Sequence, residues 1–104
     1  MSISPTQLSL SKLRGDGWTA EVVERYNFFS KKRHDLYGFI DILAVGPEGT
    51  LAVQTTSYSN VSSRVRKISE HENVGAVRDA GWRIVVHGWR KKNNRWVCRE
   101  VDIS

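Results

Sequence analysis

The chain has 104 residues, 39% hydrophobic and 26% charged, with a formal net charge of +5 and a pI near 9.7. That length predicts a single domain, residues 1–104, with a modest core. No apolar run approaches the roughly 20 residues that cross a bilayer, and MSISPTQLSL lacks the basic start and long apolar stretch of a secretory signal, so the expectation is a cytoplasmic protein with no membrane part. Residues 1–50 hold six Lys/Arg and six Asp/Glu, whereas residues 51–104 hold ten against five, so the whole cationic excess lies in the second half, the pattern of a polyanion partner.

In chain order, Ser4-Pro5-Thr6-Gln7 has the form of a helix start, with Ser as N-cap, Pro at the first helical position and Gln reaching back in a capping box. Leu10 and Leu13 continue an apolar stripe, and Gly15 or Gly17 ends it. Residues 18–26 (WTAEVVERY) alternate loosely and are β-rich at the centre, which predicts a strand with a helix as its rival. Residues 27–37 form a polar connection that carries a basic patch, Lys31, Lys32, Arg33 and His34.

Residues 39–45 and 51–56 are two apolar strands around the turn Gly46-Pro47-Glu48-Gly49. Each is interrupted by a polar residue, Asp41 and Gln54. Strand alternation puts Asp41 on the face of Phe39 and Leu43, and Gln54 on the face of Thr56. A carboxylate in a strand that is apolar on both faces needs a metal, a cation or a set of donors, because leaving it unpaired costs several kcal/mol. The blander alternatives are a salt-bridge Asp and a solvated Gln.

Residues 57–60 (SYSN) offer caps for a helix in which Val61, Val65 and Ile68 form one stripe and Arg64, Lys67 and His71 another. A break near residues 70–73, a resumption over 74–80 and a stop at Gly81 follow. Two strands, 82–89 and 95–101, close the chain around a basic turn that includes Arg90, Lys91 and Lys92. The lone Cys98 excludes an internal disulfide and reads as a small buried hydrophobe. His87 and the four tryptophans read as packing residues, with Trp89 beside the basic turn as a candidate base-stacking ring and His34 as the more functional histidine.

The order α-β-β-β-α-β, with Asp41 on the second strand, Gln54-Thr55-Thr56 on the third and an extra C-terminal strand, resembles the PD-(D/E)XK nuclease superfamily. That superfamily includes restriction endonucleases, Holliday junction resolvases and small phage or VRR-type nucleases. The resemblance runs from Ser4 to Val86 and implies an α/β restriction-endonuclease-like fold that hydrolyses DNA phosphodiester bonds with Mg²⁺ or Mn²⁺. In the family an Asp and a following acid hold the metal, and a Lys positions the attacking water. Here Gln54 stands at the acid position and Thr56 at the lysine position, so one negative and one positive charge are absent together.

The catalytic set the resemblance implies is therefore Asp41, Gln54 and Thr56, with metal ligands Asp41, Gln54 through its amide oxygen, the Thr55 carbonyl, and Asp35 brought in by a turn at Gly38. Glu21 and Glu24 lie on opposite faces of their strand, so at most one reaches the site, and the first helix carries no acid to lend. The missing cation would come from the cluster Lys31, Lys32, Arg33 and His34, whose alternative is a solvated loop. Arg64, Lys67, Arg90, Lys91 and Lys92, with Lys31, Lys32 and Arg33, would contact phosphates of DNA, branched DNA included, and a domain this small leaves room for a homodimer that engages two strands. The competing expectation is a lapsed nuclease fold that binds nucleic acid or serves as a subunit. A third is an interaction protein with a basic surface.

Overall fold

The computed structural model describes residues 3–104. Helix α1 (Pro5–Gly15) starts as its sequence dictates: Ser4 is extended and its Oγ accepts from the Gln7 amide at 3.2 Å. Ser9, Leu10 and Leu13 form its buried face, and the chain turns out through Gly17 at φ +97°. Strand β1 (Thr19–Val22) follows.

The expected strand over 18–26 and the expected polar connection over 27–37 are both corrected here. The chain leaves the main sheet after Val22, and β2 (Arg25–Asn27) pairs antiparallel with β3 (Lys32–His34) as a separate two-stranded arm. Its turn is closed by Asn27, whose Oδ1 accepts from the Phe29 and Ser30 amides, and by Lys31 in the left-handed region at φ 54°. All six strand residues are exposed, so no face is buried and no alternation of polarity marks the pairing in the sequence.

The chain returns through a turn at residues 36–40, where Gly38 has φ +89° and a Cβ would collide with the His71 ring. The hairpin β4 (Ile42–Gly46) and β5 (Gly49–Ser57) forms at the predicted turn, although regular pairing begins at Ile42 rather than at residue 39. A short 3₁₀ turn (Tyr58–Asn60) leads into α2 (Val61–Ser69) and, after the predicted break, α3 (Val74–Asp79). Strands β6 (Arg83–Lys92) and β7 (Arg95–Asp102) complete a sheet of order β1-β4-β5-β6-β7. Every pairing is antiparallel except β5 with β6, which α2 and α3 connect.

The sheet is covered on both sides, which explains the nearly continuous apolar character of β4 and β5. On one face Leu10 and Leu13 pack on Ala20, Ile42, Ala44, Leu51, Val53 and Val85. On the other, Val61, Ile68, Val74 and Val77 pack on Phe39, Ile40, Ala52, Ile84 and Val86. Gly88 admits α2, since a Cβ there would overlap Val61.

A polar chain fixes α1 across the sheet. Trp89 Nε1 donates to Ser9 Oγ at 2.8 Å, Ser9 Oγ lies 2.9 Å from His87 Nδ1, and His87 Nε2 lies 2.8 Å from Glu100 Oε1. Each group has a partner if His87 is neutral with its proton on Nε2. Burial lowers the His87 pKa, which favours that neutral form, and the Glu100 carboxylate opposes the shift less strongly. His87 is structural, and Trp89 is buried in the same contact, so its ring is not offered to a base. Among the described residues no helix is long and apolar enough to cross a membrane.

Candidate metal centre

Asp41 immediately precedes β4, and the register that pairs Ile42 with Val53 sets it opposite Gln54. Its backbone continues the sheet: Asp41 N donates to Val53 O, and Asp41 O accepts from Val23 N, both at 2.9 Å. The side chain is 4% exposed and its Oδ2 accepts three hydrogen bonds. They come from Gln54 Nε2 at 2.7 Å, the Thr55 amide at 2.8 Å and Thr55 Oγ1 at 3.2 Å. The carboxylate thus has the set of donors that its position demanded.

Two more carboxylates converge on it. Glu24 is the residue at which the chain leaves β1 for the arm, and Asp35 is the residue at which it leaves the arm. One carboxylate oxygen from each of Glu24, Asp35 and Asp41 lies within 4.8 Å of the others. Burial, followed by the charge of Asp41, raises the pKa of both; Asp35 is pushed up to about 7. Arg33 lies 3.7 Å from Glu24 and pulls the Glu24 value the other way.

The three acids open into a cavity of about 580 Å³ at the end of the sheet. Its walls include the first turn of α1 with Thr6, the arm residue Arg33, Gln54 and Thr55 from β5, and Arg64 from the first turn of α2. Thr6 Oγ1 lies 2.9 Å from Thr55 Oγ1, which ties α1 to the rim. The helix lends no acid, as its sequence implies, but it does lend a hydroxyl and the positive end of its dipole.

The structure brings together Asp41, Gln54, Asp35, Thr55, Arg33 and Arg64 among the expected residues. It does not bring in Thr56, which is buried one residue further along β5 and absent from the cavity wall. Thr56 pairs with Gly88 in the parallel ladder, and its neighbour Thr55 reaches Asp41 instead. Gln54 also differs from expectation: its amide nitrogen, not its oxygen, faces Asp41. Thr55 contributes its amide and hydroxyl to the site rather than a carbonyl.

Lys31, Lys32 and His34 are exposed on the arm and Lys67 is exposed on α2, all outside the cavity wall, while His34 Nε2 lies 3.3 Å from Ser30 Oγ. Arg90, Lys91 and Lys92 extend β6 past Ser57, at the end of the sheet toward which Gln54 and Thr55 lead. The Arg90 guanidinium stands over the Tyr58 ring at 4.3 Å and the Lys91 ammonium over Trp96 at 5.5 Å. Glu24 is the ligand candidate that the implied site left out. Its signal was the face rule that allowed only one of Glu21 and Glu24, and Glu21 indeed turns outward toward Arg14 at 3.8 Å.

The donor set fits a hard divalent cation: carboxylate oxygens that crowd one another, two of them raised in pKa by burial first and by the charge of Asp41 second, with neutral hydroxyl and amide groups beside them. No family model, curated protein or solved structure matches the chain.

Proposed function

We propose that the protein is a divalent-metal-dependent nuclease that hydrolyses DNA phosphodiester bonds, built on the PD-(D/E)XK core that its strand order resembles. The observation that carries this reading is the meeting of Glu24, Asp35 and Asp41 in one cavity whose rim holds Arg33 and Arg64. Three carboxylates alone repel a phosphate, and two arginines alone attract one without cutting it. Together they suit a cation-bridged phosphodiester.

Glu24, Asp35 and Asp41 would hold Mg²⁺ or Mn²⁺, which when bound polarises the phosphate and eases ionisation of water. Arg64 and Arg33 offer planar forks of N–H donors to the non-bridging oxygens, the geometry that suits guanidinium better than ammonium. They supply, from α2 and from the arm rather than from β5, the positive charge that the absent lysine would have brought to the site. The Thr6 and Thr55 hydroxyls can orient a water at the rim, and the α1 N-terminus favours negative charge there.

One observation favours the second reading, a lapsed site that binds nucleic acid. Gln54 donates to Asp41, so Asp41 is satisfied with no cation present. The deciding experiment is cleavage of supercoiled, single-stranded and branched DNA in Mg²⁺ or Mn²⁺, with EDTA and Asp41→Asn as controls. Metal-dependent cleavage that the variant loses supports the nuclease. Binding without cleavage in either metal supports the lapsed site.

A further inference from the structure

The arm is the part of the molecule that the fold does not explain. Residues 25–34 (RYNFFSKKRH) stand outside the five-stranded sheet, with β2 and β3 paired only to each other. At their turn Phe28 is 82% and Phe29 101% exposed, and Tyr26 is half exposed with its ring edge-on to Phe28 at 5.1 Å. Three aromatic rings on so short a hairpin contribute nothing to either core cluster. Such rings in water mark a contact surface rather than a packing one.

Charge decides the kind of partner. The same ten residues carry Arg25, Lys31, Lys32 and Arg33 and no carboxylate. Aromatic rings interleaved with cations on a solvent-exposed ribbon are the composition of a surface that stacks bases and follows a phosphate backbone. Stacking requires bases with a free face. A closed duplex presents only base edges and phosphates, for which cations suffice and the phenylalanines are superfluous.

Placement ties the arm to the site. Its two roots are Glu24 and Asp35, two of the three clustered acids, and Arg33 reaches back to Glu24. The three residues of β2 (Arg25–Asn27) lie between Glu24 and Phe28, four steps that span about 13 Å at the usual rise. A base held at the tip therefore places its neighbouring phosphates along the arm toward the cavity.

We infer that the β2–β3 arm is a stacking clamp for unpaired bases, and that the substrate class of this site is DNA that is single-stranded next to the scissile bond. The inference rests on the nuclease reading for its second half only. Binding by the arm is testable without cleavage.

The experiment measures fluorescence anisotropy of a labelled thymidine oligonucleotide and of a duplex of equal length, in EDTA, across a salt series. Phe28→Ala with Phe29→Ala should weaken single-strand binding roughly tenfold or more, leave duplex binding nearly unchanged and leave the salt slope intact. Phe28→Tyr with Phe29→Tyr should retain the affinity. Lys31→Ala with Lys32→Ala should instead flatten the single-strand slope by about 1.4, at roughly 0.7 per phosphate contact. Equal binding by wild type and the double alanine variant overturns the inference, as does an equal loss on duplex, or a change confined to self-association in sedimentation. Cleavage at the same rate in wild type and the double alanine variant would overturn the clamp and leave the nuclease standing. Stacking-dependent binding with no cleavage would keep the clamp and sink the nuclease.

Discussion

Gln54 and Asp41 stand directly opposite each other across the β4–β5 register, with Gln54 Nε2 donating to Asp41 Oδ2 at 2.7 Å. The amide is therefore a neutral donor to a buried carboxylate, in a site where two further acids already crowd it. A carboxylate at position 54 would reverse that role. Gln54→Glu is expected to destabilise the metal-free protein by about 1–3 kcal/mol, since it removes a donor from Asp41 and adds a like charge. The same variant should bind Mn²⁺ more tightly than wild type. Thermal melts with and without Mn²⁺ check both halves, and a variant as stable as wild type in EDTA would refute the first.

The acid cluster should also make stability and metal affinity depend on pH. The folded pKa of Asp35, about 7, lies above its ordinary value of 3.8, so between those limits the folded state binds more protons than the unfolded one. Stability from this group is present at low pH and is lost as pH rises toward 7. Glu24 is raised too and acts with the same sign. A divalent cation competes with those protons, so its apparent affinity should rise with pH up to about 7 and then level off. Denaturant titrations from pH 4.5 to 8, with and without Mn²⁺, measure both trends. Asp35→Asn should flatten the metal-free trend, and an unchanged slope would show that Asp35 is not its source.

How much of this was legible in the sequence depends on burial. The β4–β5 hairpin and its polar interruptions at Asp41 and Gln54 followed from apolar runs, turn chemistry and alternation, because both faces of that hairpin are covered, and the helix start at Ser4 followed from its capping residues. The arm was not legible: its strands are wholly exposed, so its pairing left no periodic trace, and its ten residues were divided between the end of an expected strand and a polar connection. Glu24 was hidden by the same cause, since a single strand over 18–26 would have carried it away along the sheet edge. Thr56 was placed by analogy of spacing, whereas the structure has Thr55 bending to Asp41 at the end of the sheet. Spacing along a strand does not encode where its partner strand stops.

The arginines at the cavity rim should separate from the distant cations. Arg64→Ala is expected to lower DNA affinity and reduce the duplex salt slope by about 0.9, the share of one phosphate contact. It should also depress cleavage more than Arg64→Lys does, because lysine keeps the charge and loses the fork. Lys67→Ala, on the exposed part of the same helix, should alter binding with little effect on the cleavage rate of bound DNA. Single-turnover rates at saturating protein distinguish the two. Equal rates for Arg64→Ala and Lys67→Ala would remove Arg64 from the site.

The last prediction concerns what holds α1, and with it Thr6, against the rim. Ser9 accepts from Trp89 Nε1 and faces His87 Nδ1, so Ser9→Ala leaves two buried polar groups without a partner and should cost about 1–3 kcal/mol. The neutral state of His87 adds a pH signature opposite in sign to that of Asp35. Its folded pKa lies below the ordinary 6.5, chiefly through burial, so as pH falls through that value the unfolded chain takes up a proton before the folded one does. Stability is therefore retained above about pH 6.5 and lost below it, and His87→Gln should remove that loss while Asp35→Asn should not. Melting temperatures of the three variants between pH 5 and 7.5 resolve the two opposed trends. If wild type and His87→Gln lose stability in parallel below pH 6.5, the acid limb arises elsewhere. If Ser9→Ala melts as wild type does, the contact across the sheet contributes nothing to stability, and the seat of α1 on the sheet rests on Leu10 and Leu13 together with the Thr6–Thr55 and Arg14–Ala20 contacts.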